Sequence, residues 1–272
     1  MFLAVAALAL TVVLAFVAAT REPIVRHATV GLADWPASEP PLRLLLISDL
    51  HVAGPDMPPS RVARLVRQIN RLTPDVVLLA GDFVSDKRLA TRRYSLDDAI
   101  APLSAIRAPL GRFAVLGNHD HWRDASQARH ALSEAGIRLL TNAAARTGPV
   151  TIGGLDDDFT GHADVVATIA SMQGLRGAKV VLSHSPDPFP ILPDDVGLMV
   201  AGHTHCGQIS LPIIGPPATM SRYGQRYACG IVRESGQTLI VSAGVGTSIL
   251  PLRIGASPDI WVIEVGPLTA KR

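Results

Sequence analysis

Five short stretches of this chain are built almost entirely from side chains that bind metal. They are Asp49-Leu50-His51, Gly81-Asp82, Gly117-Asn118-His119-Asp120, Ser183-His184 and Gly202-His203-Thr204-His205. Each of the five closes an apolar run that reads as a strand: Leu42 to Ser48, Val76 to Ala80, Phe113 to Leu116, Val180 to Ser183 and Leu198 to Ala201. Short apolar runs of this kind suit strands buried on both faces. A strand end fixes a side chain in space, so parallel strand ends that each carry Asp, Asn or His define one polar edge on an apolar sheet. The pattern therefore constrains fold and chemistry together.

Between these strands lie helical periods. Val62, Leu65, Val66, Ile69 and Leu72 recur at helix spacing behind Ser60 as N-cap, with Arg61, Arg64, Arg67 and Arg71 largely off the stripe as a solvated face. Further helices are expected over Leu96 to Ile106 and over Asp124 to Ala135, the latter capped by Asp124 and stopped by Gly136. Beyond these, Val150 to Gly153 is a short strand, Gly207 to Pro217 is a loop, and Tyr227 to Val232, Thr238 to Ser242 and Ile260 to Val265 suit an antiparallel second sheet. Strands alternate with helices in the first half and cluster in the second. The expected fold is α/β, with two packed mixed sheets flanked by helices.

The first residues differ from the rest. Phe2 to Ala19 carries no charge and approaches the length of a membrane span. The alternative is a signal peptide cleaved after Val17-Ala18-Ala19. No Lys or Arg precedes the run, while Arg21 and Arg26 follow it, which favours an uncleaved single-pass anchor in the cell membrane with a cytoplasmic domain. An extracytoplasmic or secreted domain is the other outcome. Residues 21–41, with Pro23, Pro36, Pro40 and Pro41, read as a stalk. The expected organisation is then anchor 1–20, stalk 21–41 and catalytic domain 42–268.

The 272 residues suffice for one large α/β domain, and a formal charge of +2 gives no footing for nucleic acid. Cys206 and Cys229 form no C-x-x-C pair and read as two ordinary thiols. His27, His121, His130 and His162 read as surface or structural, Asp156-Asp157-Asp158 as a solvated loop, and Trp122 as either a pocket wall or ordinary core.

Carboxylate, amide oxygen and neutral imidazole are the ligands of hard and borderline divalent cations. Asp49, His51, Asp82, Asn118, His184, His203 and His205 are too many for one tetrahedral ion and suffice for two ions that share a carboxylate. In an extended D-x-H or H-x-H segment both side chains point the same way. Oxygen-plus-imidazole ligation suits Mn²⁺, Fe or Zn²⁺.

The ordered set D-L-H, G-D, G-N-H-D, S-H and G-H-T-H resembles the calcineurin-like metallophosphoesterase family. Residues 202–209 and the tail from Val245 to Arg253 resemble its membrane-anchored bacterial branch, except that Cys206 stands where the family usually has Gly. The resemblance implies Asp49, His51 and His205 on one metal, Asn118, His184 and His203 on the other, and Asp82 bridging. It also implies His119 beside the leaving group as proton donor or transition-state stabiliser, with Asp120 orienting it. The implied activity is hydrolysis of a phosphodiester or pyrophosphate bond by metal-activated hydroxide. A membrane anchor makes a lipid-linked phosphoester the expected substrate. The alternatives are a soluble phosphodiester or phosphomonoester, and a non-catalytic scaffold.

Overall fold

The computed structural model describes residues 2–211 and 213–268, so Met1 of the expected anchor lies outside the described residues. A helix, α1 (Phe2–Thr20), leads into strand β1 (Ile24–Leu32). The elements that follow are β2 (Leu42–Ile47), β3 (Ala53–Gly54), α2 (Pro59–Arg71), β4 (Val76–Ala80), β5 (Arg92–Arg93), α3 (Leu96–Ile100), β6 (Arg112–Val115), α4 (Asn118–Glu134) and β7 (Arg138–Leu139). The second half contains β8 (Ala143–Thr147), β9 (Val150–Gly154), α5 (Val165–Met172), β10 (Ala178–Leu182), β11 (Val196–Ala201), β12 (Gly230–Glu234), β13 (Gln237–Val241) and β14 (Asp259–Pro267).

Two six-stranded sheets result, in the orders β1-β14-β2-β4-β6-β7 and β12-β13-β11-β10-β9-β8, beside a small β3-β5 ribbon. Their centres are parallel: β2 with β4, β4 with β6, β9 with β10, and β10 with β11. The period of two explains how they stack. Leu44, Leu46, Val76, Leu78 and Ala80 of the first sheet share one core with Val180, Leu182, Leu198, Val200 and Ile240 of the second. The alternate residues Leu45, Ile47, Val77 and Leu79 face outward onto α2, α3 and α4. In the second sheet Val181, Met199, Ala201 and Leu239 face a third cluster, which α5 joins through Met172. Both faces at the centre of each sheet are thus buried, giving a helix–sheet–sheet–helix sandwich.

Three expectations change. Residues 24–32 are a strand rather than part of a stalk, paired in parallel with β14 over nine residues. Val30 and Leu32 are buried in the core between the sheets, but their alternation with exposed residues is too short to stand out beside the neighbouring prolines. The final strand, β14, inserts into the first sheet between β1 and β2 instead of extending the second. Among the described residues, only the β12-β13 hairpin and the β8-β9 pair of the second sheet are antiparallel. The helix expected from Asp124 starts at Asn118. It breaks at Asp124, whose Oδ1 accepts the Gln127 N–H and so caps the second segment.

Candidate metal centre

The strand ends β2, β4, β6, β10 and β11 deliver their following loops to one place. Asp49, His51, Asp82, Asn118, His184, His203 and His205 are all buried there. The extended D-x-H geometry does not hold, because the strands stop short of the clusters. Asp49, His51, Asp82, His203 and His205 all have φ between 46° and 70°, the left-handed region that non-glycine residues rarely occupy. Backbone bonds between loops hold these turns: Asp49 N–H donates to the Gly81 carbonyl, and His51 N–H to the Asp82 carbonyl. Glycines make the approach possible. A Cβ on Gly117 would land on the Asp82 carboxylate, and one on Gly202 on the Asp49 carboxylate.

The ligand atoms form two groups. Around one point, His51 Nε2 lies 3.0 Å from His205 Nε2, and Asp49 Oδ1 lies 3.7 Å and 3.4 Å from these two nitrogens. Around the other, His184 Nε2 lies 3.0 Å from His203 Nδ1 and 3.2 Å from Asn118 Oδ1. Asp82 Oδ2 belongs to both, 3.4 Å from His51 Nε2 and 3.3 Å from His184 Nε2. Ligands about 2.1 Å from one ion sit about 3.0 Å apart in octahedral and about 3.4 Å apart in tetrahedral geometry. The observed spacings are close to those polyhedron edges.

His184 Nδ1–H donates to the Ala80 carbonyl at 2.6 Å, which sets the ring with Nε2 toward Asn118, His203 and Asp82. The donor set therefore fits two divalent ions.

Charge is balanced within the cluster. Burial alone would raise Asp49, yet the His205 and His51 rings hold it well below the usual carboxylate range. Asp82 is likewise held low by His184 against the effect of burial. Burial and the neighbouring His184 push His203 down to about 4, and burial lowers His205 against the pull of Asp49. Both rings are thus neutral and able to ligate near pH 7. Burial would also lower His184, but Asp82 outweighs it and raises this imidazole well above its ordinary value.

His119 stands beside the cluster in the first turn of α4, its ring edge-on to His51 at 4.8 Å and to Trp122 at 4.9 Å. Burial, reinforced by His51, lowers its pKa. Asp120 does not serve it. The Asp120 carboxylate is fully buried and accepts N–H bonds from Asp82, Phe83 and Gly117, tying two ligand loops together. Burial and the nearby Asp82 push Asp120 up to about 7, opposed by those same donors. The carboxylate near the His119 ring is Asp86, whose Oδ2 is 3.5 Å from Nδ1, just beyond a formed hydrogen bond. Asp86 in turn is held by Arg123 at 2.6 Å. No local motif marks Asp86, because it reaches His119 only through the loop after β4.

A cavity of about 410 Å³ opens over Asp82, Asn118, His203 and His205. Its floor is polar and its walls are apolar, with Trp122, Phe159, Ile209, Met220, Ile249 and Leu250. Trp122 is more than half exposed and so serves as a pocket wall. Phe159 lies 4.8 Å from the His203 ring, and nothing in its own sequence neighbourhood singles it out.

Two further readings are corrected. Cys206 and Cys229 are joined in a disulfide 23 residues apart, because the positive-φ turn at Cys206 aims its sulfur back at the start of β12. Asp156 and Asp157 are buried rather than solvated: Asp156 bonds His121 at 2.8 Å, and Asp157 caps Thr160. Arg253 is also fully buried. It donates to the carbonyls of Ala243, Gly244, Gly246 and Ala256, and its Nη2 lies 3.4 Å from His205 Nδ1.

The family model described as calcineurin-like phosphoesterase matches residues 42–207. A transmembrane protein with metallophosphoesterase domain from Danio rerio is 30% identical over 94% of the chain and 61% of its own length. The metallophosphoesterase YkuE of Bacillus subtilis is 32% identical over 74% of the chain and 71% of its own. The phosphodiesterase YaeI of Escherichia coli is 29% identical over 89% and 87%. The chain thus spans about three-fifths of the Danio rerio relative.

Proposed function

The chain belongs to the calcineurin-like phosphoesterase family; on that premise we propose that it is a metal-dependent phosphoester hydrolase that cleaves a phosphodiester or pyrophosphate bond in an amphiphilic, lipid-linked substrate, using two divalent ions. The observation that carries the reaction is the position of Asp82 Oδ2, within 3.4 Å of one ligand group and 3.3 Å of the other. Asp49, His51, His205 and Asp82 would hold one ion; Asn118, His184, His203 and Asp82 would hold the second. Mn²⁺, Fe and Zn²⁺ all suit this donor set. Two divalent ions in this site would supply a lowered pKa for bound water and neutralisation of charge developing on the phosphoryl oxygens.

The remaining work falls to the protein. His119 turns Nδ1 toward Asp86, which leaves Nε2 for the substrate. In the neutral ring the single proton lies on Nδ1 toward Asp86 and Nε2 accepts; Nε2 donates to a phosphoryl or leaving-group oxygen when the ring carries its second proton, a form that Asp86 stabilises. Trp122 and Phe159 shield the polar floor from bulk water. The apolar walls above that floor favour a phosphoester with an apolar substituent.

Placement follows the same reasoning. Helix α1 is long and apolar enough to cross a membrane, and a named relative is a transmembrane protein. The Cys206–Cys229 disulfide favours an oxidising compartment. It supports an extracytoplasmic catalytic domain over the cytoplasmic one suggested by Arg21 and Arg26.

The test is hydrolysis of an aryl phosphodiester with added Mn²⁺, beside a panel of lipid-linked and soluble mono-, di- and pyrophosphate esters in detergent. Undiminished turnover by Asp82→Ala would sink the binuclear reading. Equal kcat/KM for soluble and lipid-linked esters would sink the lipid preference.

A further inference from the structure

The α1 helix is hydrogen-bonded to the segment that follows one of the cavity loops, and two of the loops at the cavity mouth carry no charged residue. From Gln208 to Met220 the sequence contains no charged residue, and none occurs from Thr247 to Leu252. Ile213 is fully exposed, Ile214 is 69% exposed and Ile249 63%. Three large aliphatic side chains thus stand in water on two uncharged loops that line the cavity.

A continuous set of hydrogen bonds joins these loops to α1. Arg253 N–H donates to the Ala15 carbonyl at 3.0 Å, Ile254 N–H to the Gln208 carbonyl at 3.1 Å, and Ser210 N–H to the Ile254 carbonyl at 2.7 Å. The Gln208 amide closes the set on the carbonyls of Leu250 and Leu252. The disulfide at Cys206 pins the base of the longer loop.

Depth follows from helix geometry. Ala15 lies five residues before the last residue of α1, Thr20, which is about 7 Å along the axis. The 19 residues of α1 extend about 28 Å, close to the roughly 30 Å hydrocarbon core of a bilayer. If α1 spans, the level of Ala15 lies inside the membrane boundary, and the loops bonded at that level lie there too. This is the depth at which interfacial apolar side chains settle.

We propose that the loops 208–220 and 248–252 insert into one leaflet beside α1. They form a second membrane contact that sets the mouth of the metal cavity against lipid. The proposal rests on α1 as a span and deepens the reading of an amphiphilic substrate: such a molecule reaches His119 and the metal ligands without leaving the bilayer.

The experiment uses the full chain reconstituted in phosphatidylcholine vesicles with or without bromine on the acyl chains. Ile213→Trp and Ile249→Trp are made separately, with Val166→Trp on the exposed face of α5 as the reference. The expected result is loss of the added emission, variant minus parent, in brominated vesicles for the two loop positions and none for the reference. Emission at both loop positions as unquenched as at Val166→Trp overturns the proposal. So does protein that an alkaline carbonate wash strips from the vesicles, because the depth argument then fails. Aryl phosphodiester turnover by the same vesicles reports separately on the metal centre. Quenching without turnover leaves the membrane contact standing and defeats the hydrolase reading.

Discussion

The His119 ring faces Asp86 across 3.5 Å, while its sequence neighbour Asp120 spends its carboxylate on three backbone N–H groups. Two adjacent residues of one motif therefore act on different parts of the site. His119→Ala should lower kcat by about 10²–10⁴-fold, the usual range for loss of a positioned proton donor. Asp86 raises the His119 pKa, so Asp86→Asn should lower it. If His119 donates a proton, the alkaline limb of the kcat profile then moves to lower pH. An unmoved limb in Asp86→Asn would assign the proton transfer to another group.

Asp120→Ala should act on stability and metal retention. It leaves the N–H groups of Asp82, Phe83 and Gly117 without their acceptor, at about 1–3 kcal/mol for each buried donor left unpaired. The melting temperature should fall, and metal affinity should weaken by about 10–100-fold as the Asp82 loop loosens. Thermal denaturation and metal titration check this. A fully metal-loaded, normally stable Asp120→Ala protein with a collapsed kcat would restore Asp120 as the partner of His119.

Metal uptake should release protons and weaken on acidification. His184 holds its proton more tightly than usual because Asp82 lies 3.3 Å away, and a ligating imidazole must be neutral. The sign is fixed: a raised His184 pKa means the proton competes with metal from a higher pH downward. Calorimetric titration of Mn²⁺ or Zn²⁺ in two buffers of different ionisation enthalpy measures the release. Identical heats in both buffers would show that none occurs.

Removing the disulfide should cost stability. Cys206 follows the ligand His205 directly, and the bridge closes a loop with a sequence separation of 23. Chain-entropy arguments put such a closure at about 3 kcal/mol. Cys229→Ser should unfold at a lower temperature, and its cavity loop should be cut faster by protease. In untreated membranes neither cysteine should take a maleimide until reductant is added; prompt labelling would place the pair in a reducing compartment.

The buried pair Lys87–Asp56, at 2.7 Å and shared with Thr247, ties the loop after β4 to the tail that carries Arg253. Asp56→Ala strands a buried ammonium and should destabilise the protein by about 3–5 kcal/mol. Asp56→Ala combined with Lys87→Met should recover part of that loss in chemical denaturation. No recovery in the double variant would show that the charge pair is not the source.

Most of the ligand set was legible because its signal is local. An apolar run followed by Asp, Asn or His occupies few residues, and a strand buried on both faces needs such a run. Leu44 to Ile47 and Val76 to Ala80 therefore identified both the sheet and its functional edge before any contact was known. The helix over α2 was legible through its 3.6-residue period, but it starts at Pro59 with Pro58 rather than Ser60 as N-cap, and Arg61 is buried against the Asp56 and Arg21 carbonyls instead of lying on the solvated face. These features depend on backbone periodicity and burial, which a linear sequence records directly.

Long-range partners decided the rest. The insertion of β14 between β1 and β2, the pairing of Cys206 with Cys229 and the turn of His119 toward Asp86 join residues far apart in the chain, or leave near neighbours unpaired. The left-handed turns at Asp49, His51 and Asp82 depend on hydrogen bonds from other loops. The sequence by itself determined which atoms could bind metal and roughly where the sheets run. Only the tertiary structure decided which carboxylate faces His119, which strand closes the first sheet and which loops share the level of α1, because those choices are made by packing and hydrogen bonding between segments whose separation the sequence does not encode.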